Sequence, residues 1–238
     1  MPAPLQITSL QQESQILQAA VKCIESSSLL DFTMSAISAE AGLSMGSIYK
    51  HIQSKEDVLI ALGYRAQLHF EQVARRVMAL PLPIVARIVA LQLVDVAHSY
   101  PYSFGSQLIT LLGNEALLRR ASPRWLEKYL AHDVGLELFF ERLLLDAAER
   151  GELEAAPEAR QTMVNEINTA TWALCVGHVQ VMRHRDARTP GPEKLPLACD
   201  STVVRALQRL LNTYPWQTPL TDELLECACA LLVAEGLR

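Results

Sequence analysis

Aromatic residues make up only 6% of the 238-residue sequence, and glycine and proline number just 10 and 12. Nowhere do apolar and polar residues alternate as in a half-buried strand. A strand-built protein is excluded, and the Leu-, Ala- and Val-rich apolar half favours helices. The five cysteines (Cys23, Cys175, Cys199, Cys227 and Cys229) include no CxxC pair. That excludes a disulfide scaffold and a cysteine-rich zinc module, and fits reduced thiols in a cytosol. There is no basic excess, since 21 Lys and Arg face 26 Asp and Glu, a net charge of −5. A globally basic nucleic-acid binder is excluded, whereas a local basic patch is not. Met1 to Gln12 lacks the basic and apolar regions of a signal peptide. The longest uncharged runs, Val96–Asn114 and Ile167–Met182, are broken by histidines, amides and hydroxyls. Neither reads as a membrane span, so the expected setting is cytoplasmic, with no membrane partner. No nucleophile–base pair, phosphate loop or metal-ligand spacing appears. No catalytic residue, metal site or cofactor is therefore expected.

What is present is punctuation between helical patterns. Ser26–Asp31, Gly42, Gln53–Ser54, Pro81 and Pro83, Tyr100–Pro101, Pro123, Gly151–Pro157 and Pro190–Pro196 cut the chain into nine or ten helices. Short helices are predicted near 13–25, 34–41 and 45–51, then a long one from Lys55 to about Ala79. Ser54 with Asp57 three residues on predicts a capping box at its start. Further helices are expected near 84–98, 103–112, 124–150, 158–185, 201–213 and 220–235, with an extended loop over 186–200. The fold class is all-α: an N-terminal three-helix unit, residues 1–54, fused to a larger helical bundle, residues 55–238. Fifty residues alone are marginal, so the small unit must lean on the long helix.

Residues 33–51 have the layout of a helix-turn-helix. Thr33 is a good N-cap, and Met34, Ile37 and Ala41 form one inward stripe. Gly42 stands where a helix ends left-handed. Leu43 fills the angle, Ser44 caps the second helix, and Ile48 and Ile52 are its buried side. Met45, Ser47, Tyr49, Lys50 and His51 then face outward, able to meet base edges and phosphates in a major groove. Lys55 and the start of the long helix offer a further anion contact. Gly46 suits close approach either to DNA or to a neighbouring helix. Tyr49 has an alternative role as a structural tyrosine between helices. Residues 1–62 hold three basic and six acidic side chains, yet 41–55 contain Lys50, Lys55 and no acid.

These residues carry a resemblance. Ile16-Leu17-Gln18-Ala19-Ala20, Thr33, Ala41-Gly42-Leu43-Ser44-Met45-Gly46-Ser47-Ile48-Tyr49-Lys50-His51 and Ser54-Lys55-Glu56 are similar, in register, to the DNA-binding region of TetR-family transcriptional regulators. The resemblance spans Ile16–Leu62. It departs at Ile52, where the family commonly has Phe, and at Ser38, where it has Ala. It implies a homodimer that represses a promoter through a palindromic operator and releases it on binding a small-molecule effector. It also implies that Thr33, Tyr49 and Lys55 hold phosphates, and that Ser44, Met45, Ser47, Lys50 and His51 lie on the reading surface. The alternative is a TetR-like protein that has lost DNA binding and acts through a protein partner, a reading motivated by the acidic first 62 residues.

For the effector, Tyr102, Phe104, Trp125, Phe139, Trp172, Cys175 and His178 are candidate pocket residues, with Tyr100 and Phe140 beside them. The set is mostly apolar, which suits a lipophilic or aromatic effector. Trp172 and the Phe139–Phe140 pair equally suit a plain core. Cys175 and His178, three apart on a helix, lack a third metal ligand. The last two helices, with Leu207, Leu211, Leu224, Leu225, Leu231 and Leu232, are expected to build the dimer face with residues 158–185.

Overall fold

The computed structural model describes residues 9–188 and 196–238; of the segment expected as a loop over 186–200, residues 189–195 lie outside it. Among the described residues there are twelve helices: α1 Ser9–Ser26, α2 Met34–Ala41, α3 Met45–Tyr49, α4 Lys55–Met78, α5 Ile84–Leu93, α6 Val96–Ser99, α7 Gly105–Leu112, α8 Glu115–Leu118, α9 Pro123–Glu149, α10 Pro157–Arg188, α11 Thr202–Leu211 and α12 Asp222–Ala234. The only extended pairing among them is an isolated antiparallel bridge between Leu153 and Trp216. Proline opens both α9 and α10, where a missing N–H costs nothing. No helix among the described residues is long and apolar enough to cross a membrane.

The helices depart from the expected pattern at two places. The segment expected over 84–98 breaks at Val94, whose ψ of 139° is extended. Asp95 causes the break. Its N–H donates to the Leu237 carbonyl at 2.9 Å, and its Oδ1 accepts the Ala97 N–H at 2.9 Å, capping α6. The short α8, not expected from the sequence, is capped by Asn114, whose Oδ1 accepts the Ala116 N–H at 2.9 Å.

The chain forms two units. The first comprises Met1–Leu68 and Tyr100–Asp133, the second His69–Ser99 and Val134–Arg238. In the first, Ile16, Leu17 and Ala20 of α1, Ile37 of α2 and Ile48 of α3 are almost fully buried. Val58 to Leu62 of α4 complete that core, joined by Phe104, Leu108 and Leu112 from around α7 and by Trp125 and Tyr129 of α9. The three-helix unit thus leans on α4, as its size requires, and on two later helices besides. Gly63 permits the closest approach: a methyl there would lie 2.1 Å from Leu112 Cδ1.

The second unit has its own core. It gathers Val73 and Val77 of α4, the apolar face of α5, Leu144 and Ala147 of α9, and Val164 and Ile167 of α10. Val203, Val204, Leu207 and Leu211 of α11 join it, with Leu225, Ala228 and Leu232 of α12. This corrects one expectation. Leu207, Leu211, Leu225 and Leu232, expected to face a second copy, are at most 1% exposed inside their own unit. Leu224 and Leu231 are partly buried against the same core, so most of the expected face is used within the subunit, while Val233 of α12 is 59% exposed.

Candidate nucleic-acid interface

The local geometry of the motif follows from its capping chemistry. Thr33 is extended at φ −126° and ψ 152°, and its Oγ1 accepts the Ala36 N–H at 3.1 Å. Gly42 adopts φ +64° and ψ 28°, a conformation that few side chains tolerate. Its N–H donates to the Ala39 carbonyl, and the Leu43 N–H to the Ser38 carbonyl, both at 3.2 Å. Ser38, unusual at its position by resemblance, ties the same turn: its hydroxyl donates to the Leu43 carbonyl at 2.6 Å. Ser44 is again extended, and its Oγ accepts the Ser47 N–H at 3.2 Å while bonding the Ser47 hydroxyl at 2.9 Å. Each predicted cap is in place. The second helix ends at Tyr49 rather than 51, with the His51 and Ile52 N–H groups still bonded to Ile48.

The outward face is mostly as the spacing predicts. Tyr49 is 46% exposed, Lys50 and Gly46 are exposed, and Met45 and Ser47 are partly so. His51 departs from it: the ring is only 7% exposed, and Nε2 lies 3.2 Å from Gln12 Oε1. The helix has ended by then, so the 3.6-residue period no longer decides the facing. The His51 carbonyl accepts from Trp125 Nε1 at 3.0 Å and from Arg124 Nη1 at 3.4 Å. Around Gly46 an added Cβ meets nothing within 4 Å. Intrachain packing therefore gives no reason for glycine at that position.

Lys55 opens α4 beside this face. Its Nζ donates to the Leu30 carbonyl at 2.8 Å and sits 4.6 Å from the Phe32 ring centroid. An ammonium has three donors, so two are left for a phosphate. Half of the predicted capping box is present: Ser54 Oγ accepts the Asp57 N–H at 3.0 Å, while the Asp57 carboxylate reaches the Gln53 N–H instead of that of Ser54. Asp57, fully buried, accepts the Gln53 N–H at 2.9 Å and, through its other oxygen, the Ser122 N–H at 2.7 Å.

Packing also changes the charge around the motif. Glu56 pairs with Arg120 at 3.0 Å, Glu13 with Arg124 at 2.5 Å, and Glu40 with Lys22 at 2.8 Å. Tyr100–Asp133 supplies four basic and three acidic residues, so the first unit holds eight basic and nine acidic side chains. Arg65 and the net basic charge of Tyr100–Asp133 each offset one charge of the deficit of three in residues 1–62, leaving the first unit at −1. No short-range signal in the sequence pointed to Arg120, Arg124 or the Trp125–His51 bond.

The candidate effector residues do not form one lining. In the first unit Trp125 and Phe104 are core residues, 2% and 7% exposed, and Phe104 stacks on Tyr102 at 5.2 Å. In the second, Phe139 packs edge-on to Phe140 at 5.1 Å, with the Arg75 guanidinium 4.6 Å over its ring. Trp172 is 60% exposed. Cys175 is partly buried, and burial pushes its thiol up to about 12. Burial, then the charge of Arg185, lowers the pKa of His178. An open groove of about 540 Å³ does lie along α10, lined by Thr162, Asn165, Glu166, Thr169 and Tyr214 among others. None of the expected residues lines it.

Two short helices crossing a glycine turn, the second presenting a polar exposed face, define a helix-turn-helix. Residues 16–62 match the family model of bacterial regulatory proteins, tetR family. The match covers the helix-turn-helix and the start of α4 and ends at Leu62. Solved structures share the fold. The transcriptional regulator FadR from Bacillus subtilis, crystallised with stearoyl-CoA, is 17% identical, with a TM-score of 0.51 over 83% of this chain and 95% of its own. SmeT, repressor of the Stenotrophomonas maltophilia multidrug efflux pump SmeDEF, is 19% identical, with a TM-score of 0.53 over 90% and 95%. The superantigen PfiT is 14% identical, with a TM-score of 0.56 over 87% and 97%. No protein of curated function matches the sequence.

Proposed function

We propose that the chain is a ligand-responsive repressor that binds a palindromic operator as a homodimer, with residues 1–54 as reading head and 55–238 as effector and dimerisation domain. The observation that carries this reading is the face of α3. Ser47, Tyr49 and Lys50 stand outward on a helix whose caps are all satisfied internally, and Gly46 leaves its backbone open. Ser47 and Lys50, with Met45, read bases. Tyr49, Lys55 and the Thr33 hydroxyl hold phosphates, and Ser44 sets the angle of the helix. His51 positions the end of α3 through its buried ring and carbonyl.

A lipophilic effector is the reading we keep, on the likeness of the fold to FadR, which was crystallised with stearoyl-CoA. Release is a population shift: the effector binds best the form whose two heads are wrongly spaced for the operator. A coupling of about 1–3 kcal/mol suffices for a 5- to 150-fold change in affinity. Since α11 and α12 are mostly used internally, the face for a second copy is assigned to α10. There Trp172 and Val176, one turn apart, are 60% and 46% exposed.

The test is a gel-shift titration of the purified full chain against its own upstream DNA at two salt concentrations. Specific binding that weakens with salt is the expected result. Lys55→Ala should weaken binding to all sequences alike, whereas Ser47→Ala or Lys50→Ala should alter sequence preference. The protein-partner reading is favoured by one observation: PfiT, a superantigen, has the same fold. Failure to bind both upstream DNA and any sequence selected from a random pool would establish loss of DNA binding and leave that reading.

A further inference from the structure

We propose that Cys199 and Cys229 form a modification site, a thiol pair that a hydroperoxide closes into a reversible intrachain disulfide. Cys199 stands just before α11, and its Sγ donates to the Leu225 carbonyl 3.6 Å away. Leu225 lies one turn before Cys229 on α12. A helical side chain leans back over the turn that precedes its own Cα. The Cys229 sulphur is thus brought over the same carbonyl, within reach of the Cys199 sulphur. Both cysteines are free and half-buried at the edge of the second unit's core. The other thiols are placed differently. Cys227 is exposed, two residues from Cys229 and hence on another side of α12, while Cys175 is on α10 and Cys23 is in the first unit's core.

The surroundings divide the labour between the two sulphurs. Arg205 interacts electrostatically with the Cys199 sulphur, and its guanidinium is exposed beside Asp222. Arg238 acts on Cys229 from a site where its Nη1 donates to the carbonyls of Leu93 at 2.7 Å and Leu197 at 2.9 Å. Burial and the neighbouring Cys199 nonetheless push the Cys229 thiol up to about 12, so it is protonated at neutral pH. Cys199, the sulphur beside Arg205, takes the first step. Its sulphur attacks one peroxide oxygen, the O–O bond breaks, and a sulfenic acid and one water result. The Cys229 sulphur then attacks the Cys199 sulphur, its proton leaves with the sulfenic hydroxyl as a second water, and the S–S bond forms. The two thiols lose two electrons and the peroxide gains them. A thiol reductant reverses the bond by exchange.

The crosslink would tie the entry of α11 to the middle of α12 and close a loop that contains α11. It touches none of the residues assigned to DNA reading, so its test stands apart from that reading. The reduced full chain is treated with a few equivalents of hydrogen peroxide, the remaining thiols are alkylated, and the digest is analysed by mass spectrometry. The expected product is one peptide pair joined through Cys199 and Cys229 and lighter by two hydrogens. It should vanish with dithiothreitol and be absent in Cys199→Ser. The crosslinked chain should melt higher by roughly 5–10 °C. Cys227→Ser, on the exposed side of α12, should form the bond normally and controls for folding of the variants. The proposal is overturned if peroxide leaves both thiols alkylatable, stops at a stable sulfenic or sulfinic acid on Cys199, or joins Cys227 or Cys175 instead.

Discussion

Gly46 is the second residue of α3, and a methyl added there meets open space within 4 Å. Alanine is the better helix former by about 1 kcal/mol. Gly46→Ala should therefore melt no lower than wild type, yet bind operator about tenfold more weakly if the backbone approaches DNA. Calorimetry and a gel shift on the same preparation check both halves, and unchanged affinity would remove the reason for glycine. Gly42 is the opposite case. At φ +64°, Gly42→Ala should cost about 1–2 kcal/mol of stability in denaturant titration. The residues whose roles are fixed locally were the legible ones: the caps Thr33, Ser44 and Ser54 and the turn at Gly42 each depend on neighbours within a few positions. His51 was not legible in this way. Its facing depends on where α3 stops and on Gln12, Arg124 and Trp125, which no periodicity connects to it.

At the scale of elements, α5 shows how a helix without its own cap is completed from elsewhere. Pro83 offers no side-chain acceptor at its start. Glu152 supplies one, accepting the Ile84 N–H through Oε2 at 2.9 Å and pairing with Arg150 at 3.0 Å through Oε1. Burial alone would raise the Glu152 pKa. The Ile84 N–H, the hydrogen bond and charge of Arg150, and the charge of Arg87 outweigh it and hold the carboxyl below its ordinary value. A depressed carboxylate contributes stability above its unfolded pKa of about 4.5 and loses it as pH falls through the folded value. Urea midpoints for wild type should accordingly fall more steeply over the acid range than those for Glu152→Gln. Parallel curves would show that the cap is idle. The helices themselves were readable from punctuation to within a few residues. The break at Asp95 and the short α8 were not, because the break draws on the Leu237 carbonyl, which only the folded chain brings near.

The whole molecule depends on associations that the sequence hides. The acidic balance of residues 1–62 is softened by pairing, since Arg120 and Arg124 from far along the chain hold Glu56 and Glu13. The leucines of α11 and α12 looked like a dimer face, yet they fill their own unit's core. Amphipathic spacing tells which side of a helix is apolar but not which body covers it. With those two stripes mostly used, Trp172 and Val176 of α10 are the exposed apolar pair assigned to the second copy. Trp172→Asp together with Val176→Asp should leave the unfolding free energy of each chain nearly unchanged, since both side chains are already largely solvated. Sedimentation should then report monomers where wild type gives dimers. Operator affinity should collapse, because the second reading head no longer binds from an effective concentration set by the first. The salt dependence should drop to about half, as each monomer neutralises half the phosphates. A variant that stays dimeric would put the interface elsewhere. A monomeric variant with full affinity and full salt dependence would mean that one head suffices, and the palindromic operator would have to be given up.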